Sequence, residues 1–168
     1  MRRLAKFSGF NPFREYHYVD CNQIVRTVLG ELDGSLSQTR LEVVEKYGFQ
    51  YGRVYGDPNA LSKVFRSVIF NAIEAMSPGG VLGIQTSSDE GTFNVYVSDT
   101  GVGMGDQTRQ LAFEPFFSKK KLSVGSGLGL SDAYRIIAEH RGGIDIVSSE
   151  LDIGTVLEIS LPYVKDEV

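Results

Sequence analysis

The sequence predicts an α/β fold: a two-layer sandwich of three helices on a mostly antiparallel sheet of roughly five strands. Three observations carry that expectation. A long amphipathic stretch follows Asp57-Pro58, two alternating runs flank the polar turn Asp89-Glu90-Gly91, and two further strand-like runs close the chain. At 168 residues the chain can bury the core of one domain.

From Asn22, which can cap, a helix is expected, because Ile24, Val25, Val28, Leu29 and Leu32 recur at helical spacing. LEVVEKY and GRVYG read as two short strands separated by a turn. The next helix should run from Pro58 to about Met76. Asp57 is a good N-cap, Pro58 suits the first helical position, and Leu61, Val64, Phe65, Val68, Ala72, Ala75 and Met76 line one side. VLGIQTSS and TFNVYVSD should pair antiparallel. Leu128 to His140 is expected to be helical, with Ala133, Ile136, Ile137 and His140 in its stripe. GGIDIVSS and GTVLEISLP supply the last strands, with Thr155, Leu157, Ile159 and Leu161 turned inward. The domain proper is expected over residues 21–168. Residues 1–20 read as a leftover of something preceding: LAKFSGF has helical spacing, and NPFREYHYVD is polar and aromatic with a proline break.

Composition narrows the function. A net charge of −4 argues against nucleic acid as the main partner, since phosphate backbones favour a basic face. No apolar run approaches the roughly 20 residues that span a bilayer, so no membrane contact is expected of this domain. The start, MRRLAKFSGF, lacks the apolar core of a secretory signal. Cys21, the one cysteine, allows no intrachain disulfide. These features suit a cytoplasmic setting, with any membrane anchor in a longer parent protein.

The chemistry concentrates between Asp99 and Ser131, DTGVGMGDQTRQLAFEPFFSKKKLSVGSGLGLS. Gly101, Gly103 and Gly105 form one cluster; Gly125, Gly127 and Gly129 form another. Alternating glycines disfavour regular structure but let a backbone turn sharply or approach a ligand closely. Asp99 falls on the same strand face as Phe93, Val95 and Val97. It can open an Asp-Thr-Gly turn, or, buried, accept from a ligand donor such as the exocyclic amine of a base. The second glycine cluster leads into a helix, where exposed amides and the helix dipole favour phosphate; a flexible hinge is the other reading. Lys119, Lys120 and Lys121 can reach a polyphosphate or form a solvated loop. Phe113, Phe116 and Phe117 around Pro115 anchor that loop. Asn71 borders the buried stripe of its helix, as a core amide or as an oxygen ligand for Mg²⁺.

The order of these features resembles the ATP-binding catalytic domain of sensor histidine kinases, nearest the nitrogen-regulator type. That fold, the Bergerat-type ATP-binding fold with a mixed, mostly antiparallel sheet, is shared with gyrase, Hsp90-type and MutL ATPases. FRSVIFNAIEAMSPGG looks like the N box, DTGVGM the first glycine box, FEPFF the F box and GSGLGL the second glycine box. The resemblance implies ATP and Mg²⁺ as cofactors, and it makes residues 1–20 the tail of a preceding dimerisation helix plus a linker. Asn71 would be the Mg²⁺ ligand, and with Lys119 would carry the catalytic role. Asp99 would accept from the adenine amine, with Gly101 and Gly103 closing around the base and Thr155 holding it. Phe116 and Lys119 would belong to a lid, and Gly125, Ser126, Gly127, Leu128, Gly129 and Leu130 would cradle the phosphates.

The sequence departs from the family pattern in two places. Ser67 stands where many such kinases carry a second Asn and hydrolytic relatives a glutamate, which argues for transfer over hydrolysis. Glu74 replaces a basic residue common in the family. The phosphorylated histidine sits in an H box, whose context His17 lacks, so His17 is taken as structural or exposed. The implied partners are the dimerisation and phosphoacceptor domain of the same kinase and, through it, a response regulator. An anti-sigma-type serine kinase shares all four boxes, and a non-catalytic nucleotide-gated module is a further alternative.

Overall fold

The computed structural model of the protein describes residues 11–48, 53–115, 117 and 129–164. In chain order the elements are β1 (His17–Val19), α1 (Cys21–Gln38), β2 (Arg40–Tyr47), β3 (Arg53–Gly56), α2 (Pro58–Ala75), β4 (Gly79–Asp89), β5 (Thr92–Asp99), α3 (Asp106–Leu111), α4 (Leu130–Glu139), β6 (Gly143–Glu150) and β7 (Gly154–Val164). The strands make one seven-stranded sheet, ordered β1-β3-β7-β5-β4-β2, with β6 paired to β7. β2 runs parallel to β4 and every other pairing is antiparallel. The sheet is therefore mixed and mostly antiparallel, as expected.

The element count exceeds the sequence expectation, for local reasons. β1 has three residues, and none of the six residues of α3 is buried, so neither carries a periodic apolar signal. Residues 17–19, read as linker, pair antiparallel with β3. β2 and β3, read as neighbours across a turn, do not pair: β3 joins β1 and β7. Alternation identifies a strand but not its partner.

Each long helix starts as its cap dictates. Asp20, not Asn22, caps α1, accepting from the Asn22 and Gln23 N–H groups, and Asn22 lies buried in the first turn. Asp57 caps α2 by accepting from Asn59 and Ala60 N–H, with Pro58 following. Each such cap contributes about 1 kcal/mol. β4 and β5 meet in a two-residue turn in which Glu90 (φ 40°) and Gly91 (φ 84°) are both left-handed, the geometry that matches strand twist.

The core lies between the helices and one sheet face. Val25, Val28, Leu61, Phe65, Ile69 and Ile137 cover Leu82, Ile84, Val95, Ile146, Ile159 and Leu161. The opposite face is polar, as antiparallel sheets with one solvated side usually are; there the Tyr96 hydroxyl donates to Glu158 at 2.9 Å. Among the described residues no helix is long and apolar enough to cross a membrane.

Ile159 is fully buried and Val44 is 48% exposed. Ile159→Ala should cost about 2–5 kcal/mol in denaturant unfolding, and Val44→Ala at most about 1 kcal/mol. Equal losses would contradict this account of the core.

Candidate functional site

Three elements converge at one end of the sandwich: the end of α2, the end of β5 and the start of β7. β5 buries Phe93, Val95 and Val97 on the core face, as its sequence predicts, with Asn94 buried on the other face and Asp99 closing the row, partly buried. In register, Asp99 faces Leu82 of β4 and Thr155 of β7. The Gly101 N–H donates to Asp99 Oδ1 at 2.9 Å. Among the described residues Asp99 makes no ion pair. Burial pushes its carboxyl above the usual carboxylate range, against hydrogen bonds from the Gly101 and Thr155 backbone that pull it down.

The loop after Asp99 is fastened to α2. The Val102 N–H donates to the Ala75 carbonyl at 3.1 Å, and the Thr100 hydroxyl accepts from the Val81 N–H at 2.9 Å. The side chains that Gly101 and Gly103 lack leave room for the protein's own backbone. A Cβ on Gly101 would stand 2.4 Å from the Ala75 carbonyl oxygen. Gly103 has φ +65°, and its Cβ would stand 1.9 Å from the Glu150 carbonyl oxygen. The glycines thus let the loop close on α2 and β6.

Asn71 lies on α2 four residues before Ala75, partly buried; Glu74 is partly buried as well. Ser67, one turn earlier, is 1% exposed. Gly129 is the N-cap residue of α4 with no side-chain capping bond, and Leu130 begins the helix, whose first amides have no intrahelical partner four residues back. Phe113 packs on Tyr134 of α4, ring centroids 5.9 Å apart. Phe116, Lys119, Gly125, Ser126, Gly127 and Leu128 lie outside the described residues.

Two contributors had little signal in the sequence. Ser149 bonds the Thr155 hydroxyl at 2.8 Å and accepts from the Met104 N–H at 2.8 Å, joining β6, β7 and the glycine loop. Gly154 has φ +137°, and its Cβ would stand 2.0 Å from the Asp99 carbonyl oxygen; its place before Thr155 in a turn was the available hint. A cavity of about 460 Å³ also touches Asp99, Arg109 and Thr155, but Val81, Ser98, Val147 and Val156 form much of its wall. Ser98 and Val156 have the opposite strand parity from Asp99 and Leu157, so this hollow lies largely behind the carboxylate, on the solvated sheet face.

As a donor set the site suits a nucleotide better than a preformed metal cage. Among the described residues no three His, Cys, Asp or Glu are grouped to hold a metal. Asn71 offers one neutral oxygen, which fits Mg²⁺, an ion commonly bound by one or two protein ligands together with substrate phosphates and waters. The partly buried Asp99 fits a neutral donor such as an amine.

A solved histidine kinase catalytic domain shares this two-layer sandwich. Residues 56–165 match the family described as Histidine kinase-, DNA gyrase B-, and HSP90-like ATPase, and the chain belongs to it. The chain is 32% identical over 148 residues to Sporulation kinase E of Bacillus subtilis, covering 88% of this chain and 20% of that protein. To Sporulation kinase C of the same organism it is 34% identical, covering 86% and 33%. It thus spans a fifth to a third of these relatives. Among solved structures, the nucleotide-free catalytic domain of histidine kinase ThkA aligns with a TM-score of 0.79 at 25% identity, covering 88% of this chain and 95% of that one.

Gly103→Ala should destabilise the protein by more than the roughly 1 kcal/mol expected of Gly91→Ala, because Gly91 has a positive φ but open space around it. Because Asp99 takes up a proton more readily folded than unfolded, stability should fall as pH rises from the unfolded carboxylate value through the raised folded one. Asp99→Asn should therefore raise the melting temperature at neutral pH; a lowered one would refute this electrostatic account.

Proposed function

We propose that the chain binds ATP with Mg²⁺ and, as part of a larger sensor kinase, transfers the γ-phosphoryl group to a histidine on a dimerisation domain. The observation that carries this reading is Asp99, a partly buried carboxylate that makes no ion pair among the described residues, at the end of an apolar row. Such a group is costly to bury, and an adenine amine would satisfy it. Asn71 would hold Mg²⁺, Thr155 would support the base, and the Gly129–Leu130 amides would receive phosphate oxygens. Phe116, Lys119, Gly125, Ser126, Gly127 and Leu128 would complete the phosphate end, with Lys119 in the lid and Gly101 and Gly103 shaping the loop beside the base. Bound Mg²⁺ would neutralise phosphate charge. The protein's part is orientation and charge compensation, which phosphoryl transfer chiefly requires.

Ser67 is buried in α2 and has no basicity at neutral pH with which to activate water, so negligible hydrolysis is expected. Residues 21–168 would form the catalytic domain. The partners would be the phosphoacceptor domain of the same kinase and, through it, a response regulator, in a cytoplasmic setting.

Calorimetry with ATP and Mg²⁺ should show binding that Asp99→Asn or Asn71→Ala weakens about tenfold or more. With labelled ATP and a dimerisation fragment, acid-labile phosphohistidine should form. Acid-stable phosphoserine would instead identify a serine kinase, and binding without transfer an interaction module. A steady ATPase rate abolished by Ser67→Ala would overturn the assignment to transfer.

A further inference from the structure

His140 is a buried titratable group that the reading above leaves unused. It follows α4 as its C-cap residue and is 4% exposed. Both ring nitrogens are engaged: Nδ1 lies 2.7 Å from the Ile136 carbonyl oxygen, and Nε2 accepts from the Asp57 N–H at 3.0 Å. A carbonyl on one side and an N–H on the other are satisfied together by the neutral ring with its proton on Nδ1. The fit is tight, since a Cβ on Gly56 would stand 2.8 Å from His140 Cδ2.

Asp57 is the N-cap of α2, so the imidazole joins the end of α4 to the start of α2. The segment before β1 closes over this junction. Tyr16 lies 5.1 Å from the imidazole, centroid to centroid, and its hydroxyl donates to the Glu139 carbonyl at 3.4 Å. Arg14 pairs with the Glu139 carboxylate at 3.0 Å, and the Glu15 N–H donates to Asp57 Oδ2 at 3.2 Å. Among the described residues the charged and titratable groups around the ring are therefore Arg14, Tyr16, Asp57 and Glu139.

We infer that His140, as a neutral imidazole, is a positioning residue that sets α2 against α4, and that its protonation weakens nucleotide binding. The inference rests on the nucleotide reading above. A proton on Nε2 would face the Asp57 N–H, donor against donor. Asp57 could not readily compensate, because its oxygens already accept three N–H groups. Asn71 stands 13 residues beyond Pro58, about 20 Å along the helix, so a tilt at the cap displaces the far end. The same junction holds α4, whose other end carries Gly129 and Leu130. Burial, the largest influence, and the Arg14 charge hold the imidazole below its ordinary range, while the Ile136 carbonyl, Asp57 and Glu139 oppose that shift. The unfolded chain thus takes up a proton that the folded one resists, and stability also declines as pH falls below 6.5.

The test uses the whole chain as wild type, His140→Gln and His140→Ala, with Mg·ADP as the probe, titrated calorimetrically from pH 8 to pH 5.5. Glutamine keeps an acceptor for the Asp57 N–H and does not titrate. His140→Gln should bind near wild-type strength at pH 8, and by pH 5.5 the wild type should have lost on the order of tenfold more affinity than this variant. Comparison with His140→Gln cancels protonation of the nucleotide and of Asp99. His140→Ala should bind more weakly than wild type at pH 8. In the nucleotide-free wild type, the Asp57 amide resonance should shift with the midpoint of the imidazole resonances. No binding by the wild type at pH 8 overturns the nucleotide reading and this inference with it. Binding at pH 8 with identical pH profiles in wild type and His140→Gln, or an Asp57 amide indifferent to the imidazole, overturns the inference alone.

Discussion

The burial of one face of α2 against the sheet is the constraint on which the rest of the structure depends. Leu61, Phe65 and Ile69 are fully buried, and α2 also packs on α1 and α4. Burying each such side chain contributes about 1.5–3 kcal/mol, so the helix is far more firmly held than its own propensity would manage. That firmness reaches the site through the carbonyl of Ala75, which accepts from the glycine loop. Asn71 and Asp99 are distant in sequence but are carried on elements bonded to each other.

At the end of β5 the same packing works against stability. Phe93, Val95 and Val97 enter the core as the pleat requires, and the next residue of that parity is Asp99. A carboxylate there is partly stripped of water and met by backbone N–H groups, and among the described residues no cation pairs with it. Natural chains keep such residues where activity needs them and offset the cost elsewhere. Ser149, Thr155 and Gly154 brace the surrounding strands so that the carboxylate stays in place.

The remaining surfaces show how the sandwich is finished. Arg109 donates to the Ile146 carbonyl at 2.6 Å, covering part of the β6 edge that would otherwise be open for pairing. Arg40, Glu42 and Lys46 place charges along the edge strand β2. At the opposite margin the segment before β1 is bound by Arg14 and Tyr16 to the end of α4, so the residues leading into the domain also brace it.

Much of this was written locally. The Asp57-Pro58 start of α2, its apolar stripe, the β4–β5 hairpin and the inward row of β7 follow from capping, periodicity and turn chemistry, each acting within a few residues. The order of the four motif boxes likewise marked the family. Pairing beyond the β4–β5 hairpin was not legible: β2 alternates as a strand whether it meets β3 or β4, and only the assembled sheet shows it parallel to β4. Nor did local pattern show what Gly101, Gly103 and Gly154 admit, since close backbone approach involves residues far along the chain. His140 reads as one more position in an apolar stripe, and its two hydrogen bonds, one spanning from α4 to Asp57, exist because the fold brings those ends together. The sequence by itself determined which segments are helix, strand and glycine loop, because these obey short-range rules. Beyond that hairpin, tertiary structure alone decided which strands meet and which distant backbone groups each glycine and the buried histidine must accommodate.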